Sequence, residues 1–342
     1  MKVAVLMGGH STEREVSLAT GKGIAKALES IGHKVVQLDI ASDEQSLVPV
    51  WEMLDKGTEA GRRSTEANGP LFPVPPLGVV SPSEGVWEGR PDLVFIALHG
   101  GFGENGGIQA LLEIMGTPYT GSGPLASAMA MDKDVSKRLF RQAGVHTAPW
   151  FLVGREDDAA VVAERVVGAF GFPCVVKPND QGSTVGLTIV DRPEGVRDAV
   201  ALALKYSEEA LIERYIPGRE LTVAILGDEA LPVVEIHPQH GVYDYACKYR
   251  KGLSAYTVPA EIPKAVEQEV QSQALKAFRA LRCKGYGRVD FRFDPEAGLF
   301  CLEVNSLPGM TETSLVPKAA KAAGLSFEHL VARIMDLATV KR

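Results

Sequence analysis

The sequence has 342 residues, of which 45% are hydrophobic and 23% are charged, and its formal net charge is −7 at pH 7. A chain of this length exceeds one ordinary compact core, so we expect two or three domains. The acidic balance argues against a general nucleic-acid or membrane-surface binder because it leaves no basic excess to pair with phosphates, and no apolar run reaches membrane-spanning length.

The cysteines and the N-terminus indicate a cellular compartment. The four cysteines are far apart in the sequence and form no Cys-x-x-Cys pair, which is typical of reduced thiols in the cytoplasm. The first apolar run is too short for a signal-peptide core and is better interpreted as a strand. We therefore expect a cytoplasmic protein.

The first third of the chain alternates predicted strands and helices. Apolar, β-branched strands are predicted at residues 3–7, 33–38 and 93–98, and a tight glycine loop and a helix over residues 15–30 follow the first of them. This βαβ pattern predicts a parallel sheet that binds ligands at the carboxyl ends of its strands. Residues 41–90 are irregular and rich in proline, and we expect them to be peripheral.

The remaining two thirds predict an α+β fold with antiparallel elements. A helix that starts near residue 131 ends at Gly144. Residues 174–190 contain two apolar runs joined by a polar loop with glycines, which indicates a hairpin. Two strands flank a turn at Pro217 and Gly218. The other predicted elements are a strand at residues 150–153, helices at residues 159–170 and 263–282, and strands at residues 288–294 and 299–305.

The last two predicted strands carry facing acidic side chains. Both alternate apolar and polar residues, and the sequence PEAG between them is a plausible hairpin loop. Alternation predicts that Cys301, Glu303 and Asn305 share one face. Matching the apolar faces restricts the register. The simplest closed register gives the cross-strand pairs Asp294–Leu299, Asp290–Glu303 and Arg288–Asn305.

Two interpretations of this hairpin are open. Like charges that face each other across a sheet are destabilising, and a divalent cation would remove the conflict. Asp, Glu and Asn supply oxygen ligands of the kind that suits Mg²⁺. Alternatively, the face is exposed and Arg288 and Arg292 neutralise the acids diagonally.

Basic residues and a glycine loop add a second type of chemistry. Lys177 ends an apolar strand, and the following loop contains Gly182 and Ser183, whose backbone N–H groups could approach phosphate oxygens. No Walker A pattern is present, and, for this loop taken alone, an ordinary hairpin turn is the better explanation. Lys133 begins a helix. Glu213 and Glu220 flank RYIPGR, which fits either a hinge or an exposed hairpin. Taken together, these features favour an ATP·Mg²⁺ site without a P-loop.

The order of motifs resembles that of the D-alanine–D-alanine ligases of the ATP-grasp superfamily, over nearly the whole chain apart from residues 41–90. Any one motif is weak evidence, but the ordered series is highly specific. The motifs are GGHSTEREVSL (8–18), LHGGFGENGGIQALLE (98–113), PYTGSG (118–123), MDKDVSK (131–137), VKPNDQGSTVG (176–186), YDYACKY (243–249), GRVDFR (287–292) and EVNSLPGMTETSLVP (303–317).

The resemblance implies a fold and an activity. The fold combines α/β and α+β parts: a Rossmann-like N-terminal domain (residues 1–123) is followed by a two-part ATP-grasp fold, a small lid domain (residues 124–217) and a C-terminal domain with the metal site (residues 218–342). The implied enzyme joins two D-alanines through a D-alanyl phosphate, with release of ADP and phosphate, for peptidoglycan precursor synthesis. A homodimer is also implied.

The resemblance further implies the residues that bind ATP and metal. Lys133, Lys177, Ser183 and Lys248 match phosphate- and nucleotide-contacting positions. Glu213 and the backbone of Arg214, Tyr215 and Ile216 match the adenine hinge, and Glu220 matches the ribose contact. Asp290, Glu303 and Asn305 match the ligands of two Mg²⁺ ions, for which Mn²⁺ is a substitute.

Substrate and catalytic residues are implied in the same way. Glu13 and His99 match contacts to the first D-alanine, and Ser314 and Leu315 match the pocket of the second. Arg288 and the Gly309 backbone match the groups that stabilise the tetrahedral intermediate. Glu13, Ser183 and Tyr249 match a hydrogen-bonded triad that holds a closing loop. Each has a structural alternative: His99 as a satisfied buried histidine, Tyr249 as an ordinary loop aromatic and Ser314 as a helix N-cap.

Two departures and several rival functions accompany the resemblance. Asn105 stands where the family usually has aspartate, and Thr184 replaces a common serine. A D-alanine–D-lactate or D-alanine–D-serine ligase would share the fold, but the lysine–tyrosine pair at 248–249 favours an amine nucleophile. A regulator without catalysis would be expected to lack a metal ligand or Arg288. A dinucleotide-dependent oxidoreductase lacks support because Gly8-Gly9 does not continue as G-x-G-x-x-G.

Overall fold

The computed structural model describes residues 1–9, 11, 13–41, 78–80, 90–238 and 254–338. Over these residues the chain forms three β-sheets covered by helices. No helix in this part of the chain is both long and apolar enough to cross a membrane. The helices are α1 (Arg14–Ser30), α2 (Gly107–Ile114), α3 (Pro124–Met131), α4 (Lys133–Gln142), α5 (Ala159–Ala169), α6 (Val196–Ala203), α7 (Lys264–Ala280), α8 (Leu315–Ala322) and α9 (Phe327–Asp336).

The first sheet confirms the βαβ pattern. Its strand order is β3-β2-β1-β4, with β1 (Lys2–Gly8), β2 (Lys34–Ala41), β3 (Gly78–Val80) and β4 (Leu93–Ile96). Strand β1 pairs in parallel with β2 and β4, whereas β3 is antiparallel to β2. Helix α1 connects β1 to β2 and buries Ile24 and Leu28 against the sheet. The expectation for residues 41–90 falls mostly outside the described residues.

The second sheet is antiparallel and has the order β5-β8-β6-β7. Its strands are β5 (Trp150–Val153), β6 (Cys174–Pro178), β7 (Thr188–Val190) and β8 (Ala210–Arg214). The hairpin predicted over residues 174–190 is confirmed by the pairing of β6 with β7. Helices α5 and α6 close an apolar core that is separate from the other cores. This sheet therefore packs as a unit of its own.

The third sheet is also antiparallel and runs β12-β11-β9-β13-β14, with β10 beside β9. Its strands are β9 (Arg219–Leu226), β10 (Glu229–Ala230), β11 (Val234–Pro238), β12 (Ser254–Thr257), β13 (Tyr286–Asp294) and β14 (Gly298–Asn305). Helix α7 packs against β9, β13 and β14. Helices α3 and α4 also pack against β14, although they precede the second sheet in the chain.

Helix α4 ends at the predicted signal, and a side chain caps its start. Asp132 accepts a hydrogen bond from the Val135 N–H at 2.9 Å and so caps the first turn. Gly144 adopts φ +71° just after the last turn, as the predicted stop requires. Lys133 is accordingly the first residue of the helix.

The register of β13 and β14 corrects one prediction and confirms two. Asp294 pairs with Gly298, and Phe293 pairs with Leu299, so the predicted Asp294–Leu299 pair is wrong by one residue. A β-bulge at Leu302 adds one residue and restores the predicted pairs Asp290–Glu303 and Arg288–Asn305. The bulge also invalidates the predicted shared face, because Cys301 is fully buried in the apolar core with Phe291.

The turn at Pro217 and Gly218 joins two sheets. Strand β8 before it belongs to the second sheet and β9 after it belongs to the third, so the alternative of an exposed hairpin is wrong. Gly218 has φ +95°, and a Cβ atom there would lie 2.2 Å from the carbonyl oxygen of Phe293. Only glycine fits this connection.

We expect Gly218→Ala to lower the free energy of unfolding by about 2 kcal/mol or more, because the new side chain meets backbone and forces a left-handed conformation. Gly168→Ala is the matched control. Gly168 lies exposed near the end of α5, and a Cβ there meets no atom within 4 Å. The free energy of unfolding should therefore rise by up to about 1 kcal/mol in Gly168→Ala. Urea denaturation measures both changes, and equal effects at the two positions would contradict this account.

Candidate active site

A polar cavity lies where the first sheet ends, beside the β6–β7 loop and the loop before α8. Its wall includes residues from all three regions of the chain. The sequence-predicted substrate residues come together here: Glu13, His99, Ser183, Arg288, Gly309, Ser314 and Leu315. The wall also includes Glu104, which the sequence analysis did not single out.

A hydrogen bond between buried side chains ties the first sheet to the β6–β7 loop. Glu13 occupies the N-cap position of α1, and its carboxylate accepts a hydrogen bond from the Ser183 hydroxyl. Ser183 and Thr184 both adopt left-handed φ angles, +51° and +58°. These angles turn the loop back towards α1. Two members of the predicted triad are therefore in contact, and Tyr249 lies outside the described residues.

His99 links the first sheet to the loop before α8. Its Nδ1 atom lies 3.1 Å from the Leu307 carbonyl oxygen, and its Nε2 atom lies 3.2 Å from Thr20 Oγ1. The imidazole is 5% exposed. Glu104 Oε1 lies 3.9 Å from Nδ1, and its Oε2 accepts the Gly100 N–H at 3.0 Å. His99 is thus a satisfied buried histidine and also part of the cavity wall.

The loop at Gly309–Ser314 is shaped by one hydroxyl. Ser314 Oγ accepts the Thr311 N–H at 3.0 Å and lies 2.8 Å from Thr311 Oγ1. Ser314 holds the N-cap position of α8, but its side chain makes no capping bond, so a capping role is wrong for the hydroxyl. A Cβ atom on Gly309 would lie 2.8 Å from Ser314 Oγ. A larger residue at 309 would therefore displace this loop.

Asp290 lies in a network of charge-assisted hydrogen bonds. Arg288 donates to both of its oxygens, at 2.8 and 2.9 Å. Thr222 Oγ1 donates at 2.6 Å, and Asn305 Nδ2 donates at 3.0 Å. Glu303, opposite Asp290 in the register, lies 3.6 Å from the Lys133 ammonium. The two acids are therefore each accompanied by a cation.

A second cavity adjoins the first. Lys133 and Glu303 line it, and it shares Glu104, Gly182 and Asn305 with the wall of the first cavity. Lys133 also donates a hydrogen bond to the Gln181 carbonyl at 2.5 Å, which holds the glycine loop of β6–β7 against α4. The acidic pair therefore lies between the predicted substrate residues and the predicted phosphate-binding lysine.

The second sheet carries a buried carboxylate, Glu213, which lies between two lysines. Glu213 Oε1 is 2.5 Å from the Lys177 ammonium, and its Oε2 is 2.8 Å from the Lys137 ammonium. Burial acts to raise the pKa of Glu213, but the two ammonium groups outweigh it, Lys137 more than Lys177, and lower the pKa to about 2. Glu213 is therefore ionised at neutral pH.

The chain after Glu213 is held by Arg292. Arg292 Nε donates to the Ile216 carbonyl at 3.1 Å, and Arg292 Nη1 is 3.5 Å from Glu220. The guanidinium of Arg292 also lies 5.9 Å from the centre of the Tyr215 ring. Arg214 is exposed and Ile216 is buried. The suggestion that Arg292 neutralises the acids of β13 and β14 is wrong, because it pairs with Glu220, whereas Arg288 does pair with Asp290.

Comparison with known proteins identifies the family. Models for the D-ala D-ala ligase N-terminus and C-terminus match residues 2–122 and 139–336. The chain belongs to the D-alanine–D-alanine ligase family. The D-alanine–D-alanine ligase of Pelotomaculum thermopropionicum is 41% identical over 99% of this chain and 96% of its own, and that of Aquifex aeolicus is 42% identical over 98% and 100%.

Solved structures of the same family share the fold. The D-alanine–D-alanine ligase of Bacillus anthracis in complex with ATP has a TM-score of 0.75 at 28% identity, covering 98% of this chain and 97% of its own. The Coxiella burnetii enzyme has a TM-score of 0.77 at 26% identity, covering 98% and 93%. The predicted ATP-grasp fold is confirmed, and members of this D-alanine–D-alanine ligase family are ATP-dependent ligases.

The structure explains one departure from the family pattern. Asn105 Oδ1 accepts the Gly107 N–H at 3.0 Å at the start of α2. An amide oxygen accepts this turn hydrogen bond, two residues along the chain, as well as a carboxylate does, so the exchange leaves the D-alanine–D-alanine ligase scaffold intact at this point. Lys248, like Tyr249, lies outside the described residues.

Lys137, like Glu104, is a residue of this site that the sequence analysis missed. It lies four positions after Lys133 on α4, and residues at this spacing share one helix face. That spacing was the available signal. Beyond this spacing nothing in the sequence marks Lys137 as buried, because lysines are mostly exposed.

We expect Glu213→Gln to lower the free energy of unfolding at pH 7 by about 3–5 kcal/mol, because it leaves two ammonium groups beside a neutral amide. A lowered carboxyl pKa stabilises the fold above the ordinary value of 4.5, and this contribution is lost as the pH falls towards about 2. The deficit of the variant should therefore shrink below pH 4.5. Denaturant titrations at pH 7, 5 and 3 test this, with the exposed Glu209→Gln as control. A deficit that stays constant with pH would count against it.

Proposed function

We propose that this protein joins two molecules of D-alanine into D-alanyl-D-alanine at the expense of ATP, in the cytoplasm, for peptidoglycan precursor synthesis. The observation that carries the proposal is that one polar cavity is lined by Glu13, His99, Arg288 and Ser314. It adjoins a second cavity, which is lined by Lys133 and Glu303.

We propose that the chain divides into three domains, residues 1–123, 124–217 and 218–342. Helices α3 and α4 pack on the third sheet.

The reaction requires two substrates to react in sequence. The carboxylate of the first D-alanine attacks the γ-phosphorus of ATP, which forms D-alanyl phosphate and releases ADP. The amine of the second D-alanine then attacks the acyl carbon, a proton leaves the amine, and phosphate departs. Phosphoryl transfer of this kind depends chiefly on positioning and electrostatics, which the charged cavity wall supplies.

The wall residues take distinct roles in this proposal. Glu13 binds the ammonium of the first D-alanine, and His99 lies near its carboxylate. Arg288 and the Gly309 N–H stabilise the tetrahedral intermediate, and the absence of a side chain at 309 permits this close approach. Ser314 and Leu315 bind the second D-alanine. Glu13, Ser183 and Tyr249 form the triad that closes a loop over the site and excludes water from the acyl phosphate.

ATP is bound between the second and third sheets. The hinge segment after Glu213 receives the adenine through the backbone of Arg214, Tyr215 and Ile216, and Glu220 binds the ribose. Lys133, Lys177, Lys248 and the loop at Ser183 receive the phosphates. The contact of Arg292 with the Ile216 carbonyl and its approach to Glu220 support this assignment, because they fix both parts of the hinge.

The acidic pair fits a magnesium site. Asp290 and Glu303 face each other in register, and Asn305 lies beside Asp290. The two carboxylates and the amide oxygen of Asn305 would make an all-oxygen donor set. Among the residues that the structure describes, no group of three or more His, Cys, Asp or Glu side chains offers a competing site. We propose that these three residues hold two Mg²⁺ ions, for which Mn²⁺ can substitute. When bound, such ions neutralise phosphate charge.

A homodimer is the proposed assembly. Ile114 is 83% exposed on α2, and Leu125 is 56% exposed on α3, which contacts α2. We propose these two exposed apolar side chains as part of the contact between the subunits. The proposed enzyme needs no nucleic acid or membrane partner.

Phosphate release from Mg·ATP tests the activity. We expect release with D-alanine alone and none with L-alanine, because the cavity is chiral and holds the ammonium at Glu13. D-lactate or D-serine added to D-alanine should change neither the rate nor the product at neutral pH. A depsipeptide product would show a D-alanine–D-lactate ligase instead. Silence of folded, ATP-binding protein across the panel would overturn the proposed reaction.

The metal assignment is tested by Asp290→Asn. Asparagine retains an acceptor for Thr222 and Arg288, so the protein should stay folded, while kcat should fall by about 100-fold or more. Asp228→Asn, at a side chain that is 90% exposed, is the control and should leave kcat unchanged. Electron paramagnetic resonance of Mn²⁺ with ATP gives a second readout. Unchanged Mn²⁺ binding in the Asp290 variant would rule out this residue as a ligand.

A further inference from the structure

Lys137 is a fully buried lysine beside the proposed nucleotide site. Burial lowers the pKa of its ammonium group, and the adjacent Glu213 carboxylate acts against this shift. Its side chain is 0% exposed, and its ammonium lies 2.5 Å from Thr147 Oγ1, 2.8 Å from Glu213 Oε2 and 5.2 Å from the centre of the Trp150 ring. Lys177 meets the other oxygen of Glu213 at 2.5 Å. One carboxylate is therefore shared by two ammonium groups, which leaves one positive charge in excess.

The two lysines differ in what lies on their far side. Lys177 is at the end of β6, next to the glycine loop, and 10% of its side chain is exposed. Lys137 faces Thr147, whose hydroxyl donates to the Cys301 carbonyl at 2.8 Å in the core. An anion that enters the cleft can therefore reach the Lys177 ammonium, whereas the Lys137 ammonium is enclosed by protein.

We propose that Lys137 is a positioning residue that acts as the permanent counter-ion of Glu213, so that Lys177 can transfer its ammonium from Glu213 to a phosphate of ATP. The inference rests on the proposed ATP site. Removal of one partner from a buried ion pair leaves an uncompensated charge, which is strongly unfavourable. With Lys137 in place, departure of Lys177 leaves Glu213 paired. Without Lys137, the same departure would strand the carboxylate.

Replacing Lys137 with a neutral side chain makes the role of this second counter-ion measurable as a change in the affinity for Mg·ATP. In Lys137→Met, Glu213 has Lys177 as its remaining counter-ion, so binding of Mg·ATP must break the last pair. We expect the Kd for Mg·ATP, measured by calorimetry without D-alanine, to rise about 10-fold or more. Lys205→Met, at an exposed lysine after α6, is the matched control and should bind as the wild type does.

A second substitution separates this role from a merely structural one. In the double variant Lys137→Met, Glu213→Gln, no carboxylate holds Lys177, so we expect the affinity for Mg·ATP to recover towards the wild-type value. A purely structural Lys137 predicts no recovery, because the second substitution removes yet another buried interaction. Thermal unfolding of each variant checks that the protein is folded. Lys137→Gln, which keeps a polar contact to Thr147, replaces the methionine variant if that variant does not fold.

The outcomes are distinct. Weaker binding in the single variant with recovery in the double variant supports the proposal. Unchanged binding in the single variant, or a double variant that binds as weakly as the single one, overturns it. A wild-type protein that binds no Mg·ATP at all would overturn the proposed function itself, independently of Lys137.

Discussion

A carboxylate cannot be buried without compensating charge, and the cleft of this protein is organised around that constraint. Glu213 is 3% exposed and is held by Lys137 and Lys177. These three groups come from α4, β6 and β8. Because α4 packs on the third sheet while β6 and β8 belong to the second, the ion pairs connect the two sheets on either side of the proposed ATP site. The ion pairs that compensate the buried charge are thus also contacts that hold the two sheets together at the site.

Polar contacts also join the first sheet to the other two. The Ser183 hydroxyl donates to Glu13, and His99 lies within hydrogen-bond distance of the Leu307 carbonyl oxygen. The apolar cores are divided differently. One core continues from the first sheet into α8 and α9, whereas the second sheet has a separate core. In the described part of the chain, the second sheet is therefore held at the cleft largely by the hinge and by polar contacts. Polar groups of a ligand can replace such contacts.

The sequence predicted the parts that follow from local patterns. Local patterns were enough for the parallel sheet, the β6–β7 hairpin and the helix that ends at Gly144, because each pattern lies in consecutive residues. The burial of Lys137 was not predictable in this way, since it depends on three elements that meet only in the folded chain. The same holds for Arg292, whose partners Ile216 and Glu220 lie far away in the sequence.

The β13–β14 register shows how the correct Asp290–Glu303 pair can follow from an incorrect turn. The predicted turn was one residue too long, and the bulge at Leu302, directly beside the Asp290–Glu303 pair, compensated for it. Strict alternation leaves no place for an extra residue, so the pattern could not reveal the bulge.

Because of the bulge, the two ends of strand β14 also have different surroundings. Residues 299–301 are all buried, which a strand with one wet face cannot achieve. Leu299 and Cys301 pack into the core under α7, while Phe300 on the other face packs against Ile216 of the hinge. After Leu302 the strand turns polar, and Glu303 and Asn305 enter the cleft. The hinge proposed for adenine and the acids proposed for metal are therefore positioned by the same eight-residue strand. We expect a change in the packing of Phe300 to disturb the hinge proposed for adenine, because Phe300 packs against Ile216.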